Sequence, residues 1–119
     1  MTERDQVRLR HMLDAAREAT GFVAGKTRES LDTDRLLVRG LSYTIGIIGE
    51  APSKVSSEVQ DATPQIPWAQ IVGMRNRLVH GYFDVNLDRL WATVLESLPP
   101  LIAELEKILP PEEPEQPQD

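Results

Sequence analysis

The stretch RNRLVHGY at residues 75–82 concentrates side chains that could do chemistry on a phosphate group. Arg75 supplies a guanidinium, whose planar donors bind phosphate oxygens through two parallel hydrogen bonds. His80 supplies an imidazole, the side chain that changes charge nearest neutral pH, and Asn76 could orient either group. This combination could form a phosphate-directed acid–base site, with Arg75 as a fixed cation and His80 as the group that moves a proton.

Each of these residues also has an ordinary structural explanation. Arg75 could form a buried ion pair, with Glu50 or Asp84 as candidate partners that would support it from a neighbouring element. His80 could cap the carbonyls at the end of a helix, where its charge meets the negative end of the helix dipole. Tyr82 could simply pack, with its hydroxyl at the surface. The residues alone leave both explanations open.

Other kinds of chemistry have little support in the sequence. The chain has no cysteine, and its two histidines, His11 and His80, lie far apart without clustered carboxylates beside the second. Metal-ligand spacing is therefore missing. No serine, threonine or cysteine stands beside His80 to act as a nucleophile, and no glycine-rich phosphate loop occurs. We predict no metal and no cofactor.

The composition predicts one globular domain with an acidic end. Of the 119 residues, 40% are hydrophobic and 27% charged, and neither a signal peptide nor a membrane span is apparent, so we predict a soluble cytoplasmic protein. The net charge is −6, yet residues 1–80 carry 11 basic and 10 acidic side chains. The acidity belongs to the C-terminal third. We predict a domain over residues 1–109 and a disordered, proline- and glutamate-rich tail over 110–119.

Hydrophobic residues recur at helical spacing, which predicts an all-α, up-and-down bundle of four to five helices. Glycines in the second helix, Gly40, Gly46 and Gly49, would let a neighbouring backbone approach closely. The first predicted helix runs from Thr2 to near Gly25, and the second from Thr33 to about Glu50 with Asp32 or Thr33 as its cap. The third lies between Pro52 and Asp61, and the fourth runs from Pro67 to His80. The fifth runs from a cap at Asp84 or Asn86 through Pro99 and Pro100 to Leu109.

The predicted fourth helix gives the candidate residues different directions. If it is continuous from Trp68, Arg75 lies in the middle of an apolar stripe, whereas Arg77 points to solvent. Asn76 and His80 are four residues apart and share one flank of that helix. Arg75 is therefore the anomalous member, because an unpaired guanidinium on a packing face costs several kcal/mol, by general estimates.

The same residues carry a resemblance to a known family. RNRLVHGY fits the R-x4-H-x-Y motif of HepT toxins in the HEPN superfamily, and three longer segments match around it: IGIIGEA at 45–51, IPWAQIVGMRNRLVHGYFDV at 66–85, and LWATVLESLPPLIAELEKIL at 90–109. The resemblance covers residues 4–109. It implies a HEPN-like helical-bundle ribonuclease toxin, encoded beside a minimal nucleotidyltransferase antitoxin.

By this resemblance, Arg75 and His80 carry metal-independent RNA cleavage, Asn76 supports them, and Tyr82 is the residue to which the antitoxin adds AMP. The family's sites lie at a homodimer interface. A dimer suits the chemistry, because attack by an RNA 2′-hydroxyl needs one group to accept a proton and another to donate one. A two-fold axis would supply a second His80 and a second Arg75. The alternative is a non-catalytic HEPN protein that binds nucleotide or RNA and serves a nucleotidyltransferase as partner or substrate.

Overall fold

The computed structural model of the chain describes residues 1–80 and 84–111, and for Val79 and His80 it describes the backbone only. This part is almost entirely helical, as predicted. The helices are α1 (Glu3–Phe22), α2 (Ser30–Thr33), α3 (Arg35–Glu50), α4 (Ser57–Ala62), α5 (Trp68–Ile71), α6 (Met74–Leu78), α7 (Leu87–Ala92) and α8 (Leu98–Ile108). Two short strands, β1 (Val79–His80) and β2 (Asp84–Val85), pair antiparallel after α6.

The core lies around α3, which packs against α1 on one side and α6 on another. Its inward side chains are fully buried aliphatic residues, and they meet equally buried leucines and a methionine from the other long helices. These residues are Leu41, Ile45 and Ile48 of α3, Leu9, Met12 and Leu13 of α1, Leu90 of α7, and Leu98 and Leu105 of α8. Burial of this aliphatic surface is the main force that holds the bundle together.

Side-chain hydrogen bonds connect the start of α1 to the start of α4. The Thr2 hydroxyl accepts a hydrogen bond from the Asp5 backbone N–H at 3.1 Å, which confirms the predicted helix start. The buried Asp5 carboxylate accepts bonds from the Ser56 backbone N–H and hydroxyl, both at 2.9 Å. The backbone hydrogen bond from Ser56 is the largest cause that lowers the pKa of Asp5 below its ordinary value of 3.8, against an opposing effect of desolvation.

Asp5→Asn should therefore make the stability of the fold depend less on pH in the acidic range. Because the pKa of Asp5 is lowered in the fold, the carboxylate stabilises the protein above its unfolded pKa of about 4. That contribution is lost as pH falls through the folded pKa. We expect wild type to melt at a higher temperature than Asp5→Asn at pH 7, with the gap closing as the pH falls below about 4. A gap that stayed constant over this range would contradict the role of the charge.

The caps of two helices differ in how well they were predicted. Asn86 was one of two candidates for the cap of α7, and its side chain accepts a hydrogen bond from the Arg89 N–H at 3.1 Å. The predicted cap of the second helix was wrong. Asp32 and Thr33 belong to the separate helix α2, and Asp34 caps α3 by accepting from the Leu37 N–H at 3.0 Å.

The predicted continuous helix from Pro67 to His80 is wrong. The chain leaves the helical path at Val72, whose ψ is 124°, and Gly73 then adopts a left-handed φ of 72° that glycine accepts without steric cost. The helical path resumes in α6 and ends at Leu78, after which His80 pairs with Asp84 in the ladder. Arg75 and Asn76 thus lie on a short helix of their own, and His80 lies beyond its end.

Residues 87–108 form one long helical segment that contains an irregular turn. A five-residue π-helical turn, Thr93–Ser97, joins α7 to α8. Pro99 and Pro100 lie in the first turn of α8, where a missing N–H breaks no helical hydrogen bond. The Arg10 side chain then donates to the Pro110 carbonyl at 2.7 Å, which fastens the end of the domain to α1. The predicted tail from residue 112 onward lies outside the described residues.

Candidate active site

Arg75 lies across α3 at a position where α3 has no side chain. A β-carbon placed on Gly46 would be 3.2 Å from the Arg75 Cδ and 3.8 Å from its Nε, so the arginine stem passes directly over this glycine. Its side chain is exposed rather than buried in an apolar stripe. The predicted stripe was wrong because it assumed a helix without a break at Gly73.

The ion pair predicted as the structural explanation of Arg75 is not formed within residues 1–80 and 84–111. Glu50 and Asp84, its candidate partners, are both exposed, and neither forms a salt bridge with Arg75. An exposed arginine needs no such pair, since water solvates its charge. No residue of 1–80 or 84–111 therefore keeps the guanidinium from an anionic ligand.

A second glycine of α3 holds the backbone around Arg75. A β-carbon on Gly49 would be 3.6 Å from both the Arg75 backbone nitrogen and the Ile71 carbonyl oxygen. The turn between α5 and α6 therefore rests directly on α3 at this point. Close approach of a neighbouring backbone at glycines of this helix was predicted from the sequence. It is confirmed at Gly49, whereas at Gly46 the neighbour is the Arg75 side chain.

Arg77 has a structural task that sequence reasoning missed. Its side chain is exposed, as predicted, but its guanidinium turns back and donates hydrogen bonds to the carbonyl oxygens of Gln70 and Val72. These carbonyls belong to the end of α5, whose last carbonyls lack helical partners. Gly73, inside the predicted helix, was the sequence signal for such a break.

The remaining candidate residues are placed to different extents. Asn76 is exposed on α6 beside Arg75. The backbone of His80 lies two residues beyond α6, which brings this residue near Arg75 along the chain, while its side chain is outside the description. Tyr82 also lies outside the described residues. The structure thus brings Arg75 against Gly46 and Gly49 of α3, with Asn76 next to it on α6.

An apolar surface on α3 runs alongside Arg75 and was not predicted. Leu36 is 82% exposed and Tyr43 is 71% exposed, which is high for large side chains of this kind. Leu36, Tyr43 and Gly46 are seven and three residues apart, so they lie along one side of α3. We call Leu36 and Tyr43 the α3 surface. The spacing of these two residues was the sequence signal that could have revealed it.

The described residues contain no group of three or more histidine, cysteine, aspartate or glutamate side chains arranged to hold a metal ion. None of the helices in this part of the chain is both long enough and apolar enough to cross a membrane.

Comparison with known proteins assigns the chain to a family. The family described as "Ribonuclease HepT-like" matches residues 12–108, most of the chain. The chain belongs to the HepT-like family of the HEPN superfamily. This HepT-like protein is 33% identical over 100 residues to the "Probable ribonuclease HepT" of Thermococcus cleftensis, covering 81% of this chain and 91% of that one.

Two further relatives have names that assign them provisionally as RNases. The protein from Caldanaerobacter subterraneus is 34% identical over 101 residues, covering 85% of the HepT-like chain and 90% of its own. A protein from Methanocaldococcus jannaschii is 28% identical over 107 residues, covering 89% and 98%. No solved structure matches the chain. The family match at residues 12–108 covers most of the helical domain, so the resemblance is not confined to the motif.

Proposed function

We propose that this HepT-like protein is a metal-independent endoribonuclease and the toxin of a toxin–antitoxin pair, with Arg75 and His80 acting on RNA at a homodimer cleft. The observation that carries the proposal is the state of Arg75. Its guanidinium is exposed, lies over Gly46 and has no ion-pair partner among the described residues. A cation of this kind suits a phosphodiester, whose oxygens gain negative charge in the transition state.

In the proposed reaction the RNA supplies its own nucleophile. The 2′-hydroxyl attacks the adjacent phosphorus and gives its proton to one histidine, and the bond to the 5′-oxygen of the next nucleotide breaks as a second histidine protonates that oxygen. The products are a 2′,3′-cyclic phosphate and a free 5′-hydroxyl. Each proton transfer contributes about 10²–10⁴-fold, and Arg75 stabilises the phosphorane-like transition state. Asn76, next in the chain, would orient the histidine or the phosphate.

We place the dimer interface on the α3 surface. Two large apolar side chains, Leu36 and Tyr43, are exposed there, and burying them against a second copy would be favourable. A two-fold axis beside this surface would bring the two Arg75 side chains towards one another. Arg75 belongs to α6, but it lies over Gly46, which is on the same helix as Leu36 and Tyr43. The second copy would also supply the second histidine that the reaction needs.

Regulation by an antitoxin is the part of the proposal that involves Tyr82. A minimal nucleotidyltransferase would transfer AMP to the Tyr82 hydroxyl and release pyrophosphate from ATP. The added phosphate would lie close along the chain to Arg75 and His80, occupying the cation and blocking the cleft. Intact-mass measurement after co-expression with the antitoxin should show added AMP, and a Tyr82→Phe variant should show none. Unmodified wild-type protein would remove this part of the proposal.

The experiment that tests the activity is RNA cleavage by purified protein in EDTA, with wild type compared to His80→Ala. We expect cleavage by wild type and none by the variant, provided that the variant has the same oligomeric state. The alternative function, a non-catalytic nucleotide- or RNA-binding partner of a nucleotidyltransferase, predicts RNA binding by both proteins and cleavage by neither.

Gly46→Ala should separate stability from activity. Replacing a helical glycine by alanine commonly stabilises a fold by about 0.5–1 kcal/mol. At Gly46 the new methyl group would lie 3.2 Å from the Arg75 Cδ, which is closer than an ordinary contact, so the exposed arginine side chain would have to move. We expect unchanged or higher melting temperature and a cleavage rate about tenfold lower, since small displacements of catalytic groups are costly.

Gly49→Ala is the matched control for this prediction. Its β-carbon would meet backbone atoms at 3.6–3.7 Å, an ordinary contact distance, and none of them belongs to the Arg75 side chain. We expect cleavage close to that of wild type. Equal losses of activity in both variants would show that the position of the Arg75 stem over Gly46 does not matter.

A further inference from the structure

Residues of α6 also border an open groove of about 420 Å³. Its floor is apolar and is formed by Ile71, Met74 and Leu78 together with residues of α7 and α8. Arg89 and Glu96 stand at its rim, and both are exposed. The π-helical turn Thr93–Ser97 forms one wall, and such turns occur frequently at functional sites.

The two arginines that line this groove differ in their hydrogen bonding. The guanidinium of Arg77, which also lines the groove, is held by the carbonyls of Gln70 and Val72. Arg89 has no hydrogen-bond or ion-pair partner for its side chain in the described part of the chain. Glu96 contributes one opposing charge. The groove therefore combines an apolar floor, a net positive rim and one arginine that is available to bind an anion.

We propose that this groove binds a nucleotide of the RNA that flanks the cleaved bond, with its base on the apolar floor and its phosphate on Arg89. This inference rests on the proposed ribonuclease function. The volume of the groove suits one nucleotide, since pockets for small ligands start at about 300 Å³. Proteins hold single-stranded nucleic acid without a fixed sequence by a positively charged groove with side chains on which the bases pack, and in this groove aliphatic side chains would take the place of the usual aromatic ones.

The position of the groove relative to Arg75 supports RNA as the occupant. Arg75 and Arg77 are two residues apart on α6, so their side chains leave opposite sides of the helix, one towards α3 and the other towards the groove. A helix with its side chains is about 10–12 Å across, a distance that a strand of one or two nucleotides can cover. A single RNA strand crossing α6 could therefore reach both places.

Two substitutions with opposite expected effects test the proposal. We expect Arg89→Ala to weaken binding of a fluorescent 12-nucleotide single-stranded RNA about tenfold and to reduce the salt slope of log K by about 0.7, the value for one lost phosphate contact. We expect Glu96→Gln to strengthen the same binding about threefold, because it removes a negative charge from the rim. Damage to the fold cannot produce tighter binding, so the second variant guards against misreading the first.

Arg4→Ala is the matched control, since Arg4 is exposed on α1, lies outside the groove and loses the same charge. If Arg89→Ala matches Arg4→Ala in affinity and salt slope, or if Glu96→Gln binds no more tightly than wild type, the proposal is overturned. The proposal is also overturned if Arg89→Ala binds RNA as wild type does but no longer binds the antitoxin, because the groove would then be a docking site for a protein. Wild type that binds RNA but does not cut it would refute the ribonuclease function alone, because the groove is judged by binding.

Discussion

Arg75→Ala is expected to lower kcat/KM for RNA cleavage by about 10²–10³-fold, the usual cost of removing one group that stabilises transition-state charge. Its effect on the fold should be small. The side chain is exposed and has no ion pair among the described residues, so the free energy of unfolding should change by no more than about 0.5 kcal/mol. Single-turnover cleavage and thermal melting measure the two effects separately.

Arg75→Lys sharpens the same test, because lysine keeps the charge but cannot bind a phosphate through a planar fork. We expect activity between those of wild type and Arg75→Ala. The purely structural explanation predicts the reverse pattern, in which Arg75→Ala lowers the melting temperature and loses activity only in proportion to unfolding. That pattern would contradict a catalytic role for Arg75.

Leu36→Asp is expected to convert the proposed dimer into a monomer and to reduce cleavage by at least about 10²-fold, the contribution of one lost acid or base. Leu36 is 82% exposed, so the substitution should cost the folded monomer little. In the dimer, by contrast, it would place a charge in an apolar interface. Sedimentation or light scattering gives the oligomeric state, and cleavage is measured at the same protein concentration.

Leu95→Asp provides the matched control for this prediction. It makes the same chemical change at a leucine that is 47% exposed and belongs to the π-helical turn rather than to the α3 surface. We expect it to remain dimeric and active. A Leu36→Asp protein that stays dimeric and active would show that the interface lies elsewhere.

The helical class and several helix ends could be predicted because they depend on local chemistry. Thr2 and Asn86 have side chains that accept hydrogen bonds from the first free N–H groups of a helix, and both were predicted as caps or candidate caps. The break at Gly73 depends on something more distant. A glycine inside a helix costs only about 1 kcal/mol, so the sequence alone does not distinguish a tolerated glycine from a break stabilised by contact with Gly49.

The identity of the site residues stays a prediction, whereas the predicted surroundings of Arg75 were wrong. The resemblance named Arg75, Asn76, His80 and Tyr82. The periodicity of a continuous helix from Trp68, by contrast, placed Arg75 in an apolar stripe. The break turns it across Gly46 into solvent instead. Which residues of α3 lie beneath α6 is a question of packing between elements separated by about 25 residues of sequence, and helical periodicity within one element holds no information on it.

The most direct test of the central claim is cleavage of an RNA oligonucleotide in EDTA, compared with the same oligonucleotide carrying one 2′-deoxyribose at the cleaved position. We predict that wild-type protein cuts the first, leaving a 2′,3′-cyclic phosphate, and leaves the second intact at that position. Cleavage of both oligonucleotides, or cleavage that appears only after a divalent metal is added, would contradict a metal-independent ribonuclease that uses the 2′-hydroxyl of its substrate.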